Sequence, residues 1–119
     1  MEKIMKVTLC GSLKFEKEIQ EWHERLAFAG HTVYSMVVLP SQKGDNKDWY
    51  TTQQKQTLDL LHLSKIEESN AIFVVDVNGY IGESTKREIE WAKIREKFIA
   101  YASREDDVEY MLDRIVIRL

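Results

Sequence analysis

Ser69-Asn70-Ala71-Ile72-Phe73-Val74-Val75-Asp76-Val77 is the stretch that decides the fold. Two polar turn-formers lead into a run, 71–77, that is apolar almost throughout. A strand with one wet face alternates apolar and polar residues. An unbroken run of β-branched and aromatic residues instead suits a central parallel strand covered on both sides. Asn78-Gly79-Tyr80-Ile81-Gly82 follows as a glycine-bearing loop, and the pattern then predicts a helix over roughly 84–96.

The flanking segments continue this alternation of strand and helix. Upstream, about 50–68 reads as a helix with Leu58, Leu61, His62, Lys65 and Ile66 along one side. Downstream, Phe98–Tyr101 reads as a short fourth strand and 105–114 as a last helix. Ile115–Leu119 either continues that helix or forms an edge strand. Toward the N-terminus, 4–10 predicts the first strand, which Gly11-Ser12 breaks. Residues 14–29 carry Phe15, Ile19, Trp22, Leu26 and Ala29, spaced four, three, four and three, so one apolar stripe runs down an amphipathic helix. Gly30 is its expected stop. Residues 32–39 predict a second strand that ends at Pro40, and the polar run 41–48 an exposed loop.

Strands alternating with helices imply right-handed crossovers and a parallel sheet. The expected fold is α/β: a single Rossmann-like, three-layer α/β/α sandwich with a parallel sheet of about four to five strands. At 119 residues, the whole span 1–119 reads as one domain. Hydrophobic residues at 44% and charged residues at 31% exclude a disordered or collagen-like chain. A net charge of −3 argues against a nucleic-acid polymer as partner. The charged start of the chain and apolar runs far short of the roughly 20 residues that span a bilayer lead us to expect a cytoplasmic protein without membrane contact. Cys10 is the only cysteine, so no intramolecular disulfide forms. His23, His31 and His62 lack metal-ligand spacing, so neither a metal nor a cofactor is expected.

In open parallel sheets, ligands sit outside the carboxyl ends of the strands, where the chain direction switches. Two loops are expected there, Cys10-Gly11-Ser12 and 77–84. Gly11 and Ser12 form either an anion cradle or a capped strand–helix turn. Gly79, Gly82 and Ser84 open the third helix, where free N–H groups suit a phosphate. The spacing of Thr85 and Glu88 equally fits a capping box. Glu88 borders the apolar stripe that holds Thr85, Trp91, Ala92 and Arg95, and an acid beside apolar surface can serve as nucleophile or general acid. A solvated helix glutamate is the plainer alternative. His62 lies on the apolar side of its helix, the usual place of a core histidine. Asp76 either meets a ribose hydroxyl or caps a loop. Trp22 is most simply core, and Trp49 and Tyr50 either cover a base or pack on the sheet.

Three segments together resemble the nucleoside 2-deoxyribosyltransferase-like family, which includes the 2′-deoxynucleoside 5′-phosphate N-hydrolases. They are Val7-Thr-Leu-Cys-Gly-Ser12, Leu63-Ser-Lys-Ile-Glu-Glu-Ser-Asn-Ala-Ile-Phe-Val-Val-Asp76, and Gly79-Tyr-Ile-Gly-Glu-Ser-Thr-Lys-Arg-Glu-Ile-Glu-Trp-Ala92. The resemblance runs from residue 6 to about 101 and implies a flavodoxin-like sandwich. It implies cleavage of the N-glycosidic bond of a nucleoside or nucleoside 5′-monophosphate, by hydrolysis or transfer, with Glu88 as nucleophile. Phosphate would be held by Gly11, Ser12, Gly82 and Ser84. Where the family commonly carries an aspartate on the preceding helix, this chain places His62, which as a histidinium would protonate the departing base. The first strand also lacks the aromatic residue that family members often place near the sugar. A homodimer or larger homo-oligomer is implied. The alternative is a non-catalytic nucleotide-binding or sensor module of the same fold.

Overall fold

The computed structural model describes residues 4–36 and 51–112. Among them, four strands form one all-parallel sheet: β1 (Lys6–Cys10), β2 (Thr32–Tyr34), β3 (Ala71–Val74) and β4 (Phe98–Tyr101), in the order β2-β1-β3-β4. Four helices alternate with them: α1 (Glu16–Phe28), α2 (Thr52–Glu68), α3 (Glu83–Ile94) and α4 (Glu105–Leu112). Val7 pairs with Val33 on one side and Ala71 on the other, and Phe73 pairs with Ala100. The chain leaves β1 toward β2, then returns past β1 to place β3 on its other side. The direction switch therefore falls between the carboxyl ends of β1 and β3.

Strand periodicity assigns the side chains to the two layers. Val7, Leu9, Ala71 and Phe73 pack with Ile19 and Leu26 of α1 and Met111 of α4. Cys10, Ile72 and Val74 pack with Ile66 of α2 and with Ile89 and Ala92 of α3. Every β3 side chain is fully buried, as expected for a strand covered on both faces. Burying Phe73 alone is worth roughly 1.5–3 kcal/mol relative to leaving it exposed. The expected three-layer α/β sandwich is the observed one.

Element boundaries depart from the sequence expectations in instructive ways. The first helix begins with a 3-10 turn, Leu13–Phe15, and only then becomes α1. Phe15 accordingly leaves the stripe and meets the Tyr80 ring edge-on at 5.8 Å, while Trp22 packs on Phe73 at 4.7 Å. Gly30 adopts φ +103°, the left-handed stop that glycine tolerates best. β3 pairs only through Val74, although Val75 and Asp76 stay buried beyond it. Thr51 and Gln54 cap α2 reciprocally. On α2, His62 and Ile66 face the sheet, but Leu61 is 56% exposed, because it sits a quarter-turn off that stripe. Of the two alternatives at Thr85 and Glu88, the capping box is not formed: Gly82 is the N-cap of α3 and Thr85 is already inside the helix. β4 matches its expected span, and the last helix is observed as Glu105–Leu112. The second strand ends at Tyr34, short of the expected 39, with Ser35 and Met36 outside it; residues 37–40, the loop 41–48, Trp49, Tyr50 and Ile115–Leu119 lie outside the described residues.

Candidate functional site

The alternation along β1 points odd residues at α1 and even residues at α2 and α3. Cys10, its last residue, therefore projects its thiol between the latter two helices. His62 arrives from α2 on the turn before Ile66, and Glu88 from α3 beside Ile89. The Cys10 Sγ lies 3.7 Å from His62 Nε2, and His62 Nε2 lies 3.7 Å from Glu88 Oε2. The three ligating-type atoms all fall within 4.8 Å of one another. Cys10 is fully buried, and the His62 and Glu88 side chains are 9% and 14% exposed. Glu88 Oε1 is buried with no hydrogen-bond partner, as is Trp91 Nε1 one turn further on. An unpaired carboxylate oxygen away from water is costly, and such groups mark sites kept for chemistry or a ligand.

Burial dominates the electrostatics. It raises the Glu88 carboxyl from 4.5 to about 7; the Cys10 thiol beside it and Arg87 pull the other way, and Asp59 adds to the rise. The His62 imidazole is lowered from 6.5 to about 4, chiefly by burial and then by the Lys65 charge. The Cys10 thiol is pushed well above its usual range by burial and then by Glu88. At neutral pH the cluster thus holds a thiol, a neutral imidazole and a carboxyl close to half-ionised. His62 is not a standing histidinium, so the expected ready proton donor is absent from the resting site. Desolvation of the cation is the reason.

Glu88 also forms part of the wall of a hollow of about 280 Å³ between α2 and α3, with Asp59, Leu63, Ser84, Arg87 and Trp91. That is just under the roughly 300–1,000 Å³ of typical small-molecule sites. The Arg95 guanidinium lies over the Trp91 ring, 3.4 Å from its centroid. Arg87 donates to the Ser84 hydroxyl at 3.2 Å. The first N–H groups of α3 lack intrahelical acceptors, and the helix dipole adds partial positive charge there.

The structure brings Cys10, His62, Glu88 and Ser84 to this one region and gives the other expected residues different surroundings. Gly11 sits in a close approach of two chain segments: a Cβ there would come within 3.1 Å of the Val75 carbonyl oxygen. Ser12 caps only the three-residue 3-10 turn, accepting from the Lys14 N–H at 3.3 Å. Both Asp76 oxygens are engaged, accepting from the Ser103 N–H at 2.9 Å and the Ser103 hydroxyl at 2.6 Å. Asp76 therefore ties the loop after β3 to the loop after β4, the capping alternative of the two. Gly79 supplies φ +78° in the turn after β3, and Gly82 caps α3. His31 bridges Met5 N–H and the Met111 carbonyl, away from the site. Sequence reasoning passed over Asp59 and Arg87. Asp59 stands three residues before His62, a spacing that shares a helix face. Arg87 had no local signal beyond its charge.

Comparisons with family models, with curated proteins and with solved structures give no match to this chain. Among the described residues, no helix is long and apolar enough to cross a membrane.

Proposed function

We propose that this chain cleaves the N-glycosidic bond of a nucleoside or nucleoside 5′-monophosphate, with Glu88 as the nucleophile. The observation that carries the reading is the unpartnered, buried Glu88 oxygen on an acid that lines the hollow between α2 and α3. The sequence resemblance supplies the reaction class.

In this reading the sugar lies against Trp91 and Leu63, and its anomeric carbon faces Glu88. The ionised carboxylate forms a bond to that carbon as the bond to the base nitrogen breaks, and the base takes the bonding pair and a proton. A glycosyl ester remains. Water, or a second base, then attacks the same carbon and returns the carboxylate. The transition state carries positive charge on the sugar, which favours the ionised form of Glu88 as the reaction proceeds. His62, 3.7 Å from the carboxyl, holds the site's second proton position and relays a proton instead of storing one. Asp59 is placed to accept from a sugar hydroxyl or a base N–H. A 5′-phosphate would meet Ser84, Arg87 and the start of α3. The resemblance further implies a homodimer, and Leu60 and Leu61 are exposed on the helix that carries Asp59 and His62. The test is base release from a panel of ribo- and deoxynucleosides and their 5′-monophosphates, with Glu88→Ala as control. Release that persists unchanged in that variant eliminates the mechanism.

A second reading, nucleotide binding without turnover, is favoured by the burial of the His62 side chain, which lowers its pKa and leaves the resting site without a standing histidinium. Tight nucleotide binding with no base release over long incubation would select it.

A further inference from the structure

Three residues from three separate elements converge behind the hollow, and each belongs to a class that binds transition metals: a thiol, an imidazole and a carboxyl. Among the described residues this is the single such cluster. The Cys10–His62 contact of 3.7 Å is within reach of a weak sulfur hydrogen bond, but the His62–Glu88 contact is too long for one. The His62–Glu88 separation of 3.7 Å exceeds the 2.7–3.2 Å of an N–H···O bond. Edges of a zinc coordination tetrahedron are longer than hydrogen bonds. With zinc–sulfur bonds of about 2.3 Å and zinc–nitrogen and zinc–oxygen bonds of about 2.0–2.1 Å, the sulfur–nitrogen edge is about 3.6 Å and the nitrogen–oxygen edge about 3.3 Å. The observed 3.7 Å in both places is within a few tenths of an ångström of those edges.

From this juxtaposition we infer that Cys10, His62 and Glu88 form a three-ligand site for a borderline-soft divalent cation of the Zn²⁺ type. One further observation supports it. The Glu88 oxygen Oε1 is buried and has no partner, and the thiol is fully buried, so neither is satisfied by solvent. The donor set also selects the metal: thiolate with imidazole suits Zn²⁺, whereas Mg²⁺ and Ca²⁺ prefer oxygen alone. Binding replaces the thiol S–H, and the carboxyl O–H where it is protonated, by bonds to the metal, and the protons leave to solvent. Thiolate and carboxylate then balance the dication, leaving a locally neutral site. The pattern was invisible in the sequence, where Cys10 and His62 stand 52 residues apart.

One consequence rests on the proposed function: metal on Glu88 withdraws the nucleophile, so Zn²⁺ suppresses base release. The binding itself does not depend on that reading, and the experiment keeps the two apart. Chelator-treated full-length chain is titrated with Co²⁺, and the thiolate-to-cobalt charge-transfer absorption is followed, with circular dichroism to verify folding. The expected result is one Co²⁺ per chain, displaced by Zn²⁺. The band should be absent in Cys10→Ser, and affinity should fall roughly 100-fold or more in His62→Gln and Glu88→Gln. A folded wild-type chain that shows no charge-transfer band overturns the inference. So does a band whose affinity is unchanged in His62→Gln and Glu88→Gln, since that describes a cysteine binding alone. Loss of base release on adding Zn²⁺ tests the regulatory consequence separately. A chain that binds Co²⁺ as described but releases no base would refute the glycosidase reading and leave the metal site standing.

Discussion

Replacing Glu88 by glutamine separates a functional acid from a structural one, because the two predict opposite signs for stability. In the folded chain the carboxyl rises from 4.5 to about 7. A raised carboxyl contributes stability that is fully present below its unfolded value and is lost as pH climbs through the folded value. At about 1.36 kcal/mol per pKa unit, the full shift is worth roughly 3 kcal/mol, most of it lost between pH 5 and pH 8. Glutamine keeps the shape and does not ionise. Glu88→Gln in metal-free buffer should therefore gain about 2 kcal/mol on the wild type as pH rises from 5 to 8. The variant should also lose base release entirely. Urea denaturation at several pH values, paired with a base-release assay, measures both. A gain in stability joined to a loss of activity is the mark of a site kept under electrostatic strain for function. The reasoning fails if Glu88→Gln is less stable by a constant amount at every pH, because Glu88 would then be a structural hydrogen-bonding partner.

His62 should show the opposite slope. Its folded value falls from 6.5 to about 4, so the stability it contributes is present above pH 6.5 and lost as pH drops toward 4; His62→Gln should flatten that acid limb by a few kcal/mol in denaturant titrations, and an unchanged limb would disprove the depression. Asp76→Ala removes both acceptors of the Ser103 contacts and should cost about 1–3 kcal/mol of unfolding free energy. If it instead left stability intact and abolished nucleotide binding, Asp76 would be a ligand-binding residue after all. Gly11→Ala pushes a methyl to 3.1 Å from the Val75 carbonyl oxygen and should cost about 1–3 kcal/mol, read as a lower Tm; a neutral result would show that the loop yields freely. Sedimentation at assay concentrations should give a dimer or larger that Leu60→Glu with Leu61→Glu dissociates. A monomer throughout would exclude the oligomer.

Much of this protein is written in short-range pattern. The fully covered strand at Ala71–Val74, the stripe through Ile19 and Leu26, and the glycine stop at Gly30 need only near neighbours in sequence to be read, because each follows from backbone periodicity and local sterics. The same rules drew attention to Cys10, His62 and Glu88, though as separate residues in separate roles. One expectation failed for a local reason, since Leu61 fell off the α2 stripe by one residue, and of the two readings open at Thr85 the capping box did not form because Gly82 took the cap. Of the two readings open at Ser12, the structure shows the capped turn.

What the three-dimensional structure alone decided is the meeting of those side chains. The even register of Cys10 turns its thiol toward α2 and α3, and the two crossovers lay His62 and Glu88 on that same face within a few ångströms. No sequence window spans those distances, because they depend on how helices separated by dozens of residues pack on one layer. Burial follows from that packing, and burial is what neutralises His62 and holds Glu88 near half-ionisation. Asp76 was assigned to its loop in the same way, by Ser103 arriving from beyond the neighbouring strand. The amino-acid order specifies which groups are available, and the sheet's connectivity specifies which of them share a water-poor space where their chemistry changes.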